Sequence, residues 1–287
     1  GGNRHEYTLG GDANRDAAFV TPLETEYYNE YLLPPGTPVQ MPASENETGS
    51  AGGHYYGYIY IQDVERAAVP DGKVELTLTT EMNGAPAARL DITTFVEPGD
   101  NELFVGRAPS LRATRLGGTS RDINTEAVKY TMPKMVLRRS GTNLQSTFAT
   151  VMEPYRAADG RKITAIERLD LDGAPTGSVA LKAAYGEYVD YILSLPDPGQ
   201  AVHVEGITLQ GRGGFVRTRN GEVVEMVLTG GTLLQKGDHA VTGAGAETGR
   251  VLDVMRLADG DPFDALVTDA ALTGEYAGKY VIVTHPD

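Results

Sequence analysis

Residues 214–229 read GFVRTRNGEVVEMVLT. Asn220-Gly221 sits at the centre, between two runs rich in Val, Thr, Phe and Leu. Both residues tolerate positive φ, so the pair predicts a two-residue turn closing a β-hairpin over Gly214–Thr229. The same grammar extends in both directions. Short apolar and β-branched runs at 55–62, 73–80, 90–96, 134–139, 146–152, 163–169, 179–184, 188–194, 202–210, 250–255 and 280–284 read as strands. Turn signals separate many of them: Pro70-Asp71-Gly72, Asn83-Gly84, Ser140-Gly141, Asp172-Gly173. Gly211-Arg212-Gly213-Gly214 reads as a further turn and not as a phosphate cradle, because no helix follows it. Helical periodicity is confined to one short candidate, Glu24–Leu33, stopped by Pro34-Pro35.

The expected architecture is therefore all-β: a large antiparallel β-sandwich of stacked sheets over residues 1–195, then a small β unit over 196–287. The junction is placed at Leu195-Pro196-Asp197-Pro198-Gly199, beyond which Gly-rich turns become denser.

Composition narrows the function classes. The 287 residues contain no Cys, which excludes disulfides, thiolate metal sites and cysteine nucleophiles. No apolar run is long enough to span a bilayer as a helix, so no membrane partner is expected. The net charge is −14, which repels nucleic acid. One window runs against that background. Residues 103–152 hold eight Lys or Arg, Arg112, Arg115, Arg138 and Arg139 among them, and only two acids. The window carries +6 and the remainder −20. Gathered by the fold, its arginines would make an anion site, since a guanidinium fork matches a carboxylate or sulfate at two points.

A second feature is the tyrosine strand Gly53-His54-Tyr55-Tyr56-Gly57-Tyr58-Ile59-Tyr60-Ile61. Alternation puts His54, Tyr56, Tyr58 and Tyr60 on one face. That face is either an aromatic platform for a sugar or ordinary packing against another sheet. Trp is absent, which weighs against the platform. None of the five histidines has a metal-ligand spacing with another His or acid. The acidic loop Asp259–Asp264 lacks the spacing of a calcium loop and reads as a solvated turn. No metal or other cofactor is expected, and no paired base and acid marks a catalytic centre.

Two adjoining stretches, Met132-Pro133-Lys134-Met135-Val136-Leu137-Arg138-Arg139-Ser140-Gly141 and Ser146-Thr147-Phe148-Ala149-Thr150-Val151-Met152-Glu153-Pro154-Tyr155, resemble the C-terminal β-sheet region of heparinase II/III-like polysaccharide lyases, alginate-lyase relatives included. Arg4-His5-Glu6-Tyr7-Thr8-Leu9 resembles that family's His-x-Tyr-x-Leu strand, and Gly57–Ile61 a later one. The stretch from Leu209-Gln210-Gly211-Arg212 to Asn220-Gly221 resembles the family's small terminal β unit.

The resemblance implies a parent lyase in which an N-terminal α/α toroid joins this β region, with β-elimination at a uronic acid as its chemistry. It implies a chain that starts partway into the β region and is not catalytic alone. Its role would be to buttress the toroid and help hold an acidic polysaccharide, in a bacterial periplasm or outside the cell. The implied contacts are Arg138, Arg139, His5, Tyr7, His54, Tyr56, Tyr58, Tyr60, Arg112 and Arg115. One departure is visible: where the family often continues into His-Gly, this chain has Gly10-Gly11. The alternatives are a stand-alone carbohydrate-binding module, a purely structural sandwich whose Arg138 and Arg139 pair with acids, and a lyase acting by itself.

Overall fold

A computed structural model describes residues 4–9, 62–109, 131–245, 247–278 and 281–284. All strand pairings among them are antiparallel. The chain is all-β, as expected, and divides into two compact units, Gly1–Ile166 and Glu167–Asp287.

The first unit contains β1 (Arg4–Leu9), β2 (Gln62–Ala68), β3 (Lys73–Met82), β4 (Ala85–Phe95), β5 (Asn101–Pro109), β6 (Thr131–Arg139) and β7 (Ala149–Arg156). One sheet runs in the order β1-β3-β4-β7 and the other β2-β5-β6. Asn83 and Gly84, with φ of 53° and 78°, make the tight turn between β3 and β4. The two sheets share a core. Val74 of β3 packs with Leu103 and Val105 of β5, and Met135 and Leu137 of β6 close over them. Burying those side chains from both sheets is what holds a sandwich together. Proline sits in the last strand of each sheet, Pro154 in β7 and Pro133 in β6. A proline has no N–H to offer a further strand, so it blunts an edge.

The second unit contains most of β8 (Ala165–Leu169), which starts at the boundary, then β9 (Val179–Tyr185), β10 (Tyr188–Ser194), β11 (Val202–Val204), β12 (Ile207–Arg219), β13 (Glu222–Lys236) and β14 (His239–Thr242), followed by a separate ribbon of β15 (Val251–Met255) and β16 (Ala265–Thr268). The larger sheet runs β14-β13-β12-β10-β9-β8, with β11 also pairing to β12.

The hairpin expected at 214–229 is present, with Asn220 and Gly221 at φ 51° and 88°. It is much longer than expected, because the glycines read as turns lie inside strands. Gly211 faces Gly231 across β12 and β13 at a register shift. A Cβ on Gly231 would lie 2.3 Å from the Gln210 carbonyl oxygen and 2.4 Å from the Gly211 Cα. The strand pair bends there. A Cβ on Gly214 would sit 3.3 Å from Leu209 Cδ1, although a straight strand would hold the two residues roughly 16 Å apart. The bend turns the inner face of the sheet on itself around Leu209, Val216, Leu234, Tyr191 and Leu193, all buried.

Three other expectations changed. The run 202–210 is two strands, because Glu205-Gly206 adopts φ of 50° and 71° and reverses the chain. Residues 281–284 form no strand. The Pro-Asp-Pro-Gly segment at 196–199 lies inside the second unit, where β10 before it pairs with β12 after it. The candidate helix at 24–33 is outside the described residues.

Candidate functional site

Arg138 and Arg139 end β6, and the antiparallel register sets them opposite Glu102 and Asn101 of β5. Alternation sends their side chains to opposite faces. Arg138 meets Glu102 Oε2 through Nη2 at 2.5 Å and through Nε at 3.1 Å, and its guanidinium lies 4.8 Å from the Phe104 ring centroid. Arg139 is enclosed, with 10% of its side chain exposed. Its Nε donates to Asn101 Oδ1 at 3.0 Å. Its Nη1 reaches Ser146 Oγ at 2.9 Å, the Gln145 carbonyl at 3.0 Å and Glu97 Oε2 at 3.2 Å. Asn101 is itself buried and donates to the carbonyls of Val69 and Glu97. These two arginines are thus engaged in joining β5, β6 and the loop that follows.

His5 and Tyr7 lie on β1, opposite Thr80 and Leu78 of β3. His54, Tyr56, Tyr58, Tyr60, Arg112 and Arg115 are outside the described residues.

A different constellation forms where β3, β4 and β7 run side by side. The register aligns Thr77, Asp91 and Glu153, and next to them Thr79, Arg89 and Tyr155. The Thr77 hydroxyl donates to Asp91 Oδ1 at 2.7 Å, and the Tyr155 hydroxyl reaches the same oxygen at 3.2 Å. Burial pushes the Tyr155 phenol above the usual tyrosine range, the charge and hydrogen bond of Asp91 push it further, and Arg89 opposes them. Tyr155 is therefore a neutral, oriented phenol.

The chain then returns over this sheet. The Asp159 N–H donates to the Arg156 carbonyl at 3.0 Å, which makes a tight turn, and Gly160 follows at φ 71°. The Glu153 carboxylate accepts the N–H groups of Lys162 at 2.6 Å and Ile163 at 3.2 Å. One open groove of about 430 Å³ is lined by Arg89 from β4, Arg156 from β7 and Lys162 from the returning segment, with Arg156 directed to the sheet face opposite Arg89 and Tyr155. Tyr155 lines it, and Asp159 is its one acidic residue. All four charged residues are exposed, and among the described residues none of them forms an ion pair. The volume lies within the range of small-ligand clefts. The basic residues of its lining suit an anion.

Other polar clusters are satisfied internally. Arg217 forms two bonds to Asp190, 2.8 Å and 2.9 Å long, and lies over the Phe215 and Tyr185 rings. Asp261 and Asp264 of the acidic loop accept the N–H groups of Arg256 and Leu257, so they cap a short 3-10 turn. Among the described residues no three His, Asp or Glu groups are arranged to hold a metal ion.

Sequence reasoning missed Arg89, Arg156, Asp159 and Lys162. They come from two paired strands and a turn, and no linear spacing joins them. The one available signal was Asp159-Gly160 directly after a strand, which predicts a tight return of the chain.

No family model matches this sequence, no curated protein matches it, and no solved structure matches its fold.

Proposed function

We propose that this chain is the β-sandwich portion of a heparinase II/III-like polysaccharide lyase and helps hold an acidic, uronate-containing polysaccharide. The observation that carries the reading is the groove at Arg89, Arg156 and Lys162, three cations with no ion pair among the described residues, beside an oriented tyrosine in a chain of net charge −14. Cations held apart from their own acids are placed to meet someone else's. The catalytic toroid would lie in the parent protein, and a polymeric substrate points to a periplasmic or secreted setting.

A second reading has its own support. Arg138 and Arg139 are occupied by Glu102, Asn101 and Glu97, as a purely structural sandwich would require. Affinity electrophoresis of the purified chain against alginate, heparan sulfate, hyaluronan, pectin and a neutral glucan separates the two. Retardation by acidic polymers alone, weakened by salt, supports recognition. Migration unaffected by every polymer leaves the structural reading in place.

A further inference from the structure

We propose that Lys236 is a nucleophilic amine, set among Lys182, Tyr191 and Glu205 so that it takes up a small aldehyde as an imine. Neither the groove nor its residues take part, so this site stands or falls apart from the polysaccharide reading.

Lys236 ends β13, and residues from several other strands and turns stand around it. Its Nζ lies 4.5 Å from the centroid of the Tyr191 ring, on β10. Lys182 of β9, the cross-strand partner of Tyr191, brings a second ammonium to 5.9 Å from the same centroid. Glu205, in the turn between β11 and β12, answers the two lysines with different atoms. Its carbonyl oxygen accepts from Lys236 Nζ at 2.6 Å, and its carboxylate meets Lys182 Nζ at 3.5 Å. The Glu205 carboxylate thus goes to Lys182, and among the described residues Lys236 forms no ion pair. His239, its cross-strand partner on β14, is exposed.

Two features set the cluster apart from ordinary packing. Glu205 sits at φ 50°, in the left-handed region that Asn, Asp and Gly enter at lower cost. Strained backbone of this kind collects at functional sites. Tyr191 is only 7% exposed, yet among the described residues its hydroxyl makes no hydrogen bond. Burial raises its phenol above the usual tyrosine range, so it keeps its proton. A buried donor without an acceptor calls for one, and the oxygen of a carbonyl brought to this ring would supply it.

The surroundings also prepare the amine. Burial draws the Lys236 ammonium below the usual lysine range; Glu205 opposes this, and the charge of Lys182 adds to it. Desolvation and a neighbouring cation are the two means by which a lysine becomes a neutral nucleophile. Its lone pair forms an N–C bond at the aldehyde carbon while the carbonyl oxygen takes up a proton. The carbinolamine then expels that oxygen as water, both of whose hydrogens replace those lost from the amine nitrogen. A C=N bond stands where the C=O bond stood, and nothing is oxidised or reduced.

The test is reductive trapping on the intact chain. Glycolaldehyde with cyanoborohydride near neutral pH converts an imine into a stable hydroxyethyl amine, and peptide mapping reads its position. Lys236 should be labelled about tenfold faster than the exposed Lys162, because imine formation needs the neutral amine. Lys182→Met removes the neighbouring cation and should lower that ratio by about threefold, whereas Glu205→Gln removes the opposing carboxylate and should raise it by about twofold. Lys236→Arg should abolish the label at 236 and leave that at Lys162 unchanged. Circular dichroism separates these effects from unfolding. Labelling of Lys236 no faster than that of Lys162 overturns the proposal and leaves Lys236 as a cover on the Tyr191 ring. Fast labelling that Lys182→Met and Glu205→Gln both leave unchanged overturns the role of the cluster. Neither result touches glycan retardation, and loss of glycan retardation leaves the labelling of Lys236 as it is.

Discussion

Arg139 Nε donates a 3.0 Å hydrogen bond to the Oδ1 of Asn101, its cross-strand partner. Asn101 is buried and uses its amide nitrogen to hold the carbonyls of Val69 and Glu97. An arginine that the sequence offers as a ligand contact is thus part of a buried polar network. Such networks stabilise only when every member is satisfied.

Removing that arginine should therefore act on stability. Arg139→Ala leaves Asn101 Oδ1 without its donor and frees Gln145 and Ser146 from the strand end. The expected loss is about 2–3 kcal/mol in urea unfolding, in the range for charged hydrogen bonds and an unsatisfied buried acceptor. Glycan retardation of the folded variant should equal that of the unmodified chain; a selective loss of retardation at full stability would return Arg139 to the binding site.

Two glycines should fail for different reasons. Gly231→Ala drives a methyl group into Gln210 and Gly211 backbone atoms at 2.3–2.4 Å, and should cost about 2–3 kcal/mol by overpacking. Gly221→Ala meets nothing within 4 Å but keeps φ at 88°, so only backbone strain opposes it, about 1 kcal/mol. Thermal unfolding of the pair checks the order; equal losses would contradict the close approach at Gly231.

Leu234 is fully buried at the centre of the bent sheet, with Leu209 and Val216 around it. Leu234→Ala should cost about 2–5 kcal/mol, the transfer of the side chain plus the cavity left behind. Because the two units are separately compact, differential scanning calorimetry should show the loss in the transition of the second unit. A uniform shift of the whole profile would instead mean that the chain unfolds as one body.

Alkaline pH should weaken the fold. Tyr155, Tyr185 and Tyr191 all have phenols pushed above the usual range, with burial the largest cause in each. A raised folded value means that the stabilising contribution is complete below the unfolded tyrosine value of about 10 and is lost as pH climbs through the folded values. Burial lowers the Lys236 ammonium, so that group acts in the opposite direction and offsets part of the loss. Urea midpoints at neutral pH and above about pH 10 test the sign. In a tyrosinate absorbance titration, Asp91→Asn should let Tyr155 ionise earlier, since it removes a nearby charge and a hydrogen bond that favour the neutral phenol.

The sequence alone determined the class of the protein and several of its corners. Period-two runs of β-branched residues have no helical solution, and Asn83-Gly84 and Asn220-Gly221 accept the positive φ that a tight hairpin needs. Those are local energies, and local residues suffice to state them. Only the tertiary structure decided what the glycines at 211 and 231 were for, because a glycine required by close approach looks the same in one dimension as a glycine required by a turn. It also decided which cations were spent. Arg139 is enclosed because Asn101, thirty-eight positions away, pairs with it across two strands, while Arg89, Arg156 and Lys162, which strand register and one turn bring to one groove with a single acid, form no ion pair among the described residues. Charge in a sequence is additive, but the partner of each charge is set by non-local pairing.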